Sequence, residues 1–451
     1  MKAVLIIWDG LRPEFVDPGV TPALCALSDQ GTTFSNHTAI FPTETRVNSS
    51  SIATGMYPDK HGIVANRFLD RRSNRMVNSG DHADLGRLLE DSGAILPVPT
   101  LCGRLRKQGY KSLVVGSGSP GSTLLQDPSG QDRFVNVRGL IRPESDLEPF
   151  VAEYGAFPEE SYPPDPWNDL ACKVFADGLR SGDFDFGVLW LCDPDFTQHK
   201  YGLGSPESLS AIRMNDGRLA KLRRDLPDGI DLLVVSDHGF STVDQDSRQD
   251  PEWLGLSRDA YKVGSSGIYL QDPEHDLESV ASSLLKQDWV GPVFLREERD
   301  ETLGIIAGTF GQSLVRLNHP DRSPDIVYSR RWTGEANANS VDGIIHGAGG
   351  IATHGSLSPS DRKCVLIAAG PSFKDGLVSP IQSAAVDIAP TVLRLFDQKA
   401  ELDGRVLREG LRNGPAPSDV AVRQTIVREV EGVVISFVEI DGKRYLGEVE
   451  I

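Results

Sequence analysis

The chain reads as an α/β protein with a doubly wound, mostly parallel central sheet flanked by helices and carrying an inserted α+β cap. Three observations predict this class. Compact runs of Val, Ile and Leu have the character of buried strands, and helical patterns separate them. The runs also end in acidic residues, which an open sheet would gather in the crevice beyond its carboxyl ends.

Taken in order, the run Ala3–Trp8 leads into Asp9, the run Phe186–Leu191 into Asp193 and Asp195, and residues 232–235 into Asp237 with His238. Further apolar runs at 112–115 and 365–369 extend the sheet. Apolar positions recur at three and four around 22–29, 101–108 and 211–222, the helical period. The segment GSGSPG at 116–121 satisfies GxGxxG after a strand, but Pro120 and the polar tract beyond it do not open a helix, and it is read as a loop. Between 243 and 322 the order changes to a short strand GIYL, a helix through 277–286 and a strand at 292–295, which together read as the cap. This divides the chain into a core of residues 1–242 and 323–410, the cap at 243–322, and an extension at 411–451 whose hairpin turns on Asp441-Gly442.

At 451 residues the chain is long enough for a large core with an insertion. Its net charge of −18 argues against a nucleic-acid polymer as partner, because phosphate backbones demand excess Lys and Arg. The five cysteines lack paired spacing and fit reduced thiols. The apolar run before Asp9 is too short for a signal-peptide core, and no stretch is long enough to span a membrane, so the expectation is a cytoplasmic protein.

Asp195 and His199 lie four apart in DPDFTQHKYG, a spacing that brings carboxylate and imidazole to one side of a helical turn. Asp237 and His238 are adjacent in VVSDHGF and can reach one ion only where the strand opens into a loop, which Gly239 permits. His354 sits in the glycine-rich GAGGIATHGS, with His346 and His61 in similar settings as rivals. Carboxylates and imidazoles without thiolates favour zinc, manganese or iron. Two such ions roughly 4 Å apart form the common clamp for in-line displacement at phosphorus.

The segment FPTETRVNSSSIATGMYPDKHGIVAN, at 41–66, resembles the nucleophile region of the type I phosphodiesterase and nucleotide pyrophosphatase family of the alkaline phosphatase superfamily. The motifs around Asp9, DPDFTQHKYG, VVSDHGF and THGSLSP follow in the family's order. The resemblance implies an alkaline phosphatase-like fold and a hydrolase with Thr45 as nucleophile. It implies one metal on Asp195, His199 and His354 and a second on Asp9, Asp237, His238 and the Thr45 oxygen. Asn66 matches the family's Asn that hydrogen-bonds a phosphoryl oxygen, and the family's placement of its ligand selects His354 over His346. Where the family has Phe after the nucleophile this chain has Arg46, and Val47 replaces the following Pro. Phosphonoacetate hydrolases look similar here and are also polar at that position.

The expected activity is therefore hydrolysis of phosphodiester or pyrophosphate bonds in a small molecule through a phosphothreonine, with two divalent cations, zinc or alternatively manganese. Carbon–phosphorus cleavage or phosphomonoester hydrolysis is the alternative. A metal-binding phosphate sensor without turnover is the non-enzyme reading. On residues alone, Thr45 also suits a helix N-cap and Asn66 an ordinary turn. No Walker motif or Cys-x-Pro-x-Arg signature is present.

Overall fold

The computed structural model describes residues 3–227, 229–247 and 257–451. A nine-stranded sheet forms the core, with Ala3–Trp8 near its centre between parallel neighbours Asp231–Val235 and Phe186–Leu191. Beyond Phe186–Leu191 the parallel order continues through Ser112–Gly116 and Arg133–Asn136, and Leu140–Arg142 closes that edge antiparallel. On the other side Leu366–Ala369 inserts antiparallel between Asp231–Val235 and Gly31–Phe34, and Leu377–Ser379 ends the sheet. The sheet is thus parallel where the site residues emerge and mixed toward its margins.

Alternation along the strands decides which face each residue serves. Leu5, Ile7, Leu233 and Val235 enter one hydrophobic core, while Val4, Ile6, Leu232 and Val234 enter the core on the opposite face. Each fully buried aliphatic of this kind contributes about 1.5–3 kcal/mol. That stabilisation offsets the several kcal/mol that burying a carboxylate costs, and it lets Asp9 and Asp237 sit buried at the strand ends.

Helices Pro22–Asp29, Asp165–Ser181 and Pro206–Asp225 pack on one face and Thr45–Thr54, Leu101–Lys107 and Ile388–Leu395 on the other. The segment expected as a loop after Ser112–Gly116 contains a short helix, Pro120–Leu124. Ser119 caps it by accepting from the Ser122 N–H, and Pro120 takes the first helical position, where a missing N–H costs nothing. The polar tract is tolerated because it is buried against the helix of Thr45: Ser49 Oγ donates to the Ser122 carbonyl (2.9 Å) and Gln126 Nε2 to Ser49 Oγ (2.8 Å).

The insertion builds its own five-stranded sheet from Tyr261–Val263, Gly267–Leu270, Ile326–Arg330, Val290–Leu295 and Phe310–Gly311. Helix Pro273–Leu284 covers it, and Ile268, Leu277, Val280, Leu284 and Val293 form a small separate core. Strand Ile326–Arg330, beyond the expected cap limit, lies in the middle of this sheet. At the C-terminus, Val433–Ile440 and Lys443–Glu450 form the hairpin around Asp441-Gly442, and Val422–Val430 adds a third strand. Tyr445 anchors this sheet by donating its hydroxyl hydrogen to buried Asp387 (2.8 Å).

Candidate active site

The register of the central strands sets the site. Asp9 lies one residue past Trp8, its N–H bonded to the Leu191 carbonyl, and the Asp195 N–H returns to the Asp9 carbonyl. The turn after Asp9 needs Gly10, whose φ is +72° and whose N–H donates to Asp237 Oδ1 (3.1 Å). Asp195 begins helix Asp195–Tyr201, so His199 falls on the same side with Nε2 3.3 Å from Asp195 Oδ1. His354, from the loop after strand Ala352–Thr353, brings its Nε2 to 3.3 Å from the same oxygen.

The second group gathers at the end of Asp231–Val235. His238 Nε2 lies 3.3 Å from Asp9 Oδ1 and 3.3 Å from Asp237 Oδ2. Adjacent Asp237 and His238 both face this point because the strand has already ended. Gly239 is needed there for closeness rather than for an unusual φ: a Cβ would lie 2.0 Å from the Ser360 carbonyl oxygen.

Thr45 opens helix Thr45–Thr54 as its first helical residue, and Glu44 holds the N-cap position. Thr45 is therefore not the cap, and its Oγ1 is turned to His238 Nε2 at 3.1 Å. The rings of His238 and His354 stack with centroids 3.7 Å apart and join the two groups.

Two features make these clusters fit cations. Three buried carboxylate oxygens, Asp9 Oδ1, Asp195 Oδ1 and Asp237 Oδ2, have no hydrogen-bond partner, and all three are the atoms aimed at the imidazoles. Each imidazole, in turn, spends Nδ1 on a backbone carbonyl: His199 on Ala352 (3.1 Å), His238 on Gly239 (2.8 Å) and His354 on Thr43 (2.7 Å). That bond fixes the tautomer with Nε2 as the free donor atom, the arrangement metal-binding histidines use. Within each triad the candidate donor atoms lie within 4.8 Å of one another.

Burial and neighbouring charge set the ionisation of these groups. Burial raises the Asp9 and Asp237 carboxyls above their ordinary range, and each further repels a neighbouring acid. Burial opposes ionisation of Asp195 too, but His199 and His354 outweigh it and hold that carboxyl well below the usual range. Burial likewise disfavours the His238 cation, yet Asp237 and Asp9 push the imidazole up to about 10. A cation in each triad would relieve both tendencies.

His61 and His346 stand elsewhere. His61 is fully buried, accepts the Ile63 N–H at Nδ1 and faces Ser51 Oγ with Nε2, the bonding of a neutral structural histidine. His346 pairs with Asp244 (2.9 Å).

A cavity of about 400 Å³ opens over the Asp195 group. Thr45, Asn66 and Arg46 line it from the core, and Ser265, Ser266, Tyr328 and Arg330 from the insertion. Asn66 accepts the Arg46 N–H at Oδ1 (3.0 Å), which fixes its amide with Nδ2 as the donor end. Sequence reasoning missed Glu44. Its buried carboxylate receives the hydroxyls of Ser265 and Ser266 and the Asn66 N–H, tying the turn before Thr45 to the insertion. An acid next to Thr45 inside the quoted motif was the available signal. Trp190, whose Nε1 donates to Asp9 Oδ2 (3.1 Å), left none.

Residues 3–335 match the family model described as type I phosphodiesterase / nucleotide pyrophosphatase. The chain is similar to ectonucleotide pyrophosphatase/phosphodiesterase family member 7 of Mus musculus, 26% identical over 436 residues that cover 92% of this chain and 88% of that one. It is 28% identical over 250 residues to venom phosphodiesterase 2 of Crotalus adamanteus, covering 54% of this chain and 27% of the relative. Its fold is that of murine ectonucleotide pyrophosphatase / phosphodiesterase 5, with a TM-score of 0.66, 18% identity, and coverage of 91% of this chain and 100% of that structure. The same murine protein has been solved as an inactive variant in complex with AMP, at 19% identity and a TM-score of 0.66.

Proposed function

The chain belongs to the type I phosphodiesterase/nucleotide pyrophosphatase family, and on that premise we propose that it hydrolyses phosphodiester or pyrophosphate bonds of a small molecule through Thr45 at a two-cation centre. It is an enzyme acting on phosphorus esters, as its relatives' names describe. The observation that carries the finer reading is the position of Thr45 Oγ1, 3.1 Å from His238 Nε2 where two carboxylate–imidazole triads meet.

Two divalent cations, zinc or manganese by donor type, would be held by Asp195, His199 and His354 and by Asp9, Asp237, His238 and Thr45, and would favour the Thr45 alkoxide while neutralising phosphoryl charge. The chain's own residues do the rest. Thr45 sits at a helix N-terminus, where exposed N–H groups and the helix dipole favour negative charge. Its oxygen attacks phosphorus in line, the bond to the leaving oxygen breaks, and a phosphothreonine forms. Asn66 donates from Nδ2 to a non-bridging oxygen as equatorial charge builds. Water then attacks phosphorus from the vacated side and releases Thr45.

The test is turnover of bis-nitrophenyl phosphate, nitrophenyl phosphate and phosphonoacetate by cation-loaded protein. Diester preference with complete loss in Thr45→Ala, the cation content unchanged, is the expected result. Persistent turnover in Thr45→Ala would refute the nucleophile, and phosphonoacetate turnover with weak diester activity would replace the reading with carbon–phosphorus cleavage.

A further inference from the structure

We propose that the cavity selects phosphorus esters bearing a second negative charge besides that of the phosphoryl group, received by Arg46 and Arg330; this rests on the function proposed above. Arg46 directly follows the nucleophile and lines the cavity. Its Nε is buried without an acceptor, and among the described residues its guanidinium has no hydrogen bond or ion pair. Glu44, the nearest acid in sequence, is taken up by two serine hydroxyls and the Asn66 N–H. Across the cavity Arg330 donates to the Gly347 carbonyl and meets no carboxylate among the described residues.

A guanidinium on a cavity wall can stack on a ring or grip an anion. Stacking uses its face and leaves the in-plane N–H groups unsatisfied; a carboxylate or phosphate accepts from them edge-on. The terminal guanidinium nitrogens of Arg46 are in-plane donors with no acceptor among the described residues, which favours the anion. The single charge of a diester phosphoryl group is already met at the triads and Asn66, so a second anionic group is what this pair can receive. It can be carried on the alcohol of a diester or on the outer phosphorus of a pyrophosphate, which keeps the diester preference proposed above.

Three esters with one leaving group test this: methyl nitrophenyl phosphate, carboxymethyl nitrophenyl phosphate, and nitrophenyl phosphate, whose second charge lies on the reacting phosphorus. In cation-loaded protein, kcat/KM for one doubly charged ester relative to the methyl ester should fall about 10²-fold in Arg46→Ala, as expected when a site built to pair a charged group loses its partner. Arg46→Lys should restore part of that ratio, since it keeps the charge and loses the fork. Calorimetric affinities of the uncleaving Thr45→Ala protein, with and without Arg46→Ala, should show the same ranking without turnover. Ratios unchanged by Arg46→Ala while the methyl ester is still hydrolysed overturn this inference alone. Failure of wild type on every ester overturns the proposed function as well. A greater loss on a thymidine nitrophenyl ester than on either charged ester assigns Arg46 to ring stacking instead.

Discussion

The two triads use the same chemistry in opposite settings. His238 and Asp237 have fully buried side chains and Asp9 is 6% exposed, whereas His199 is 41% exposed and Asp195 14%. The inner group hangs on the ends of central strands packed on both faces. The outer group comes from a helix turn and a glycine-rich loop beneath the cavity. Thr45 is turned to the buried group, while the open one lines the cavity. On the proposed function, this difference in depth would separate the group that holds Thr45 from the group that exchanges ligands.

The largest effect should distinguish the triads by mutation. Asp237→Ala is expected to cost at least about 10³-fold in kcat, a loss of transition-state charge stabilisation that added cation does not restore. His199→Ala should cost about 10–100-fold and recover with excess cation. The reverse ranking breaks the division of roles.

Gly239→Ala tests how much the inner group depends on close packing. Its Cβ would lie 2.0 Å from the Ser360 carbonyl, so we expect a loss of about 3–5 kcal/mol in chemical denaturation and a displaced Asp237–His238 turn. A wild-type unfolding midpoint would show that the turn is slack.

Chelation should sharpen the contrast kinetically. Cation release followed with a chromophoric chelator is expected in two phases, the faster one lost in His199→Ala. A single phase removing both ions together would mean that exposure does not set lability.

The smallest effect concerns the fold around the site. His37 and His61 are buried and held neutral, their imidazoles pushed down to about 3 by burial. Between pH 6.5 and about 3 the unfolded chain binds more protons than the folded one, so stability present at neutral pH is lost on acidification. The slope is up to about 1.4 kcal/mol per pH unit for each group. Thermal melts should show it, with a flatter profile in His61→Asn and the same slope with and without cation. A slope that vanishes on cation loading would place the sensitivity in the triads instead.

Much of this was legible in the chain. Apolar runs ending at Asp9, Asp195 and Asp237 announce both the sheet and the crevice, because a buried strand must be apolar along its length and can afford acids only past its end. The i, i+4 spacing of Asp195 and His199 is a local geometric fact that the helix preserves. The short helix after Ser119 was missed because its polar tract is taken up by distant groups, Ser49 Oγ donating to the Ser122 carbonyl and Asn136 Nδ2 to Thr123 Oγ1, partners that no local pattern contains. The strand at 326–330 lay beyond the expected cap limit because a sheet is completed by pairing distant segments.

What the sequence alone determined is the class of fold and the residue types at the strand ends, since each follows from periodicity and side-chain chemistry within a few residues; Thr45 as candidate nucleophile came from the resemblance of the segment at 41–66. Only the tertiary structure decided that Glu44 rather than Thr45 occupies the cap, that the Glu44 carboxylate ties to Ser265 and Ser266, and that Arg46 is left without a hydrogen-bond partner among the described residues. Those outcomes depend on which distant backbone carbonyls, hydroxyls and carboxylates reach each group first, and long-range packing alone arranges that.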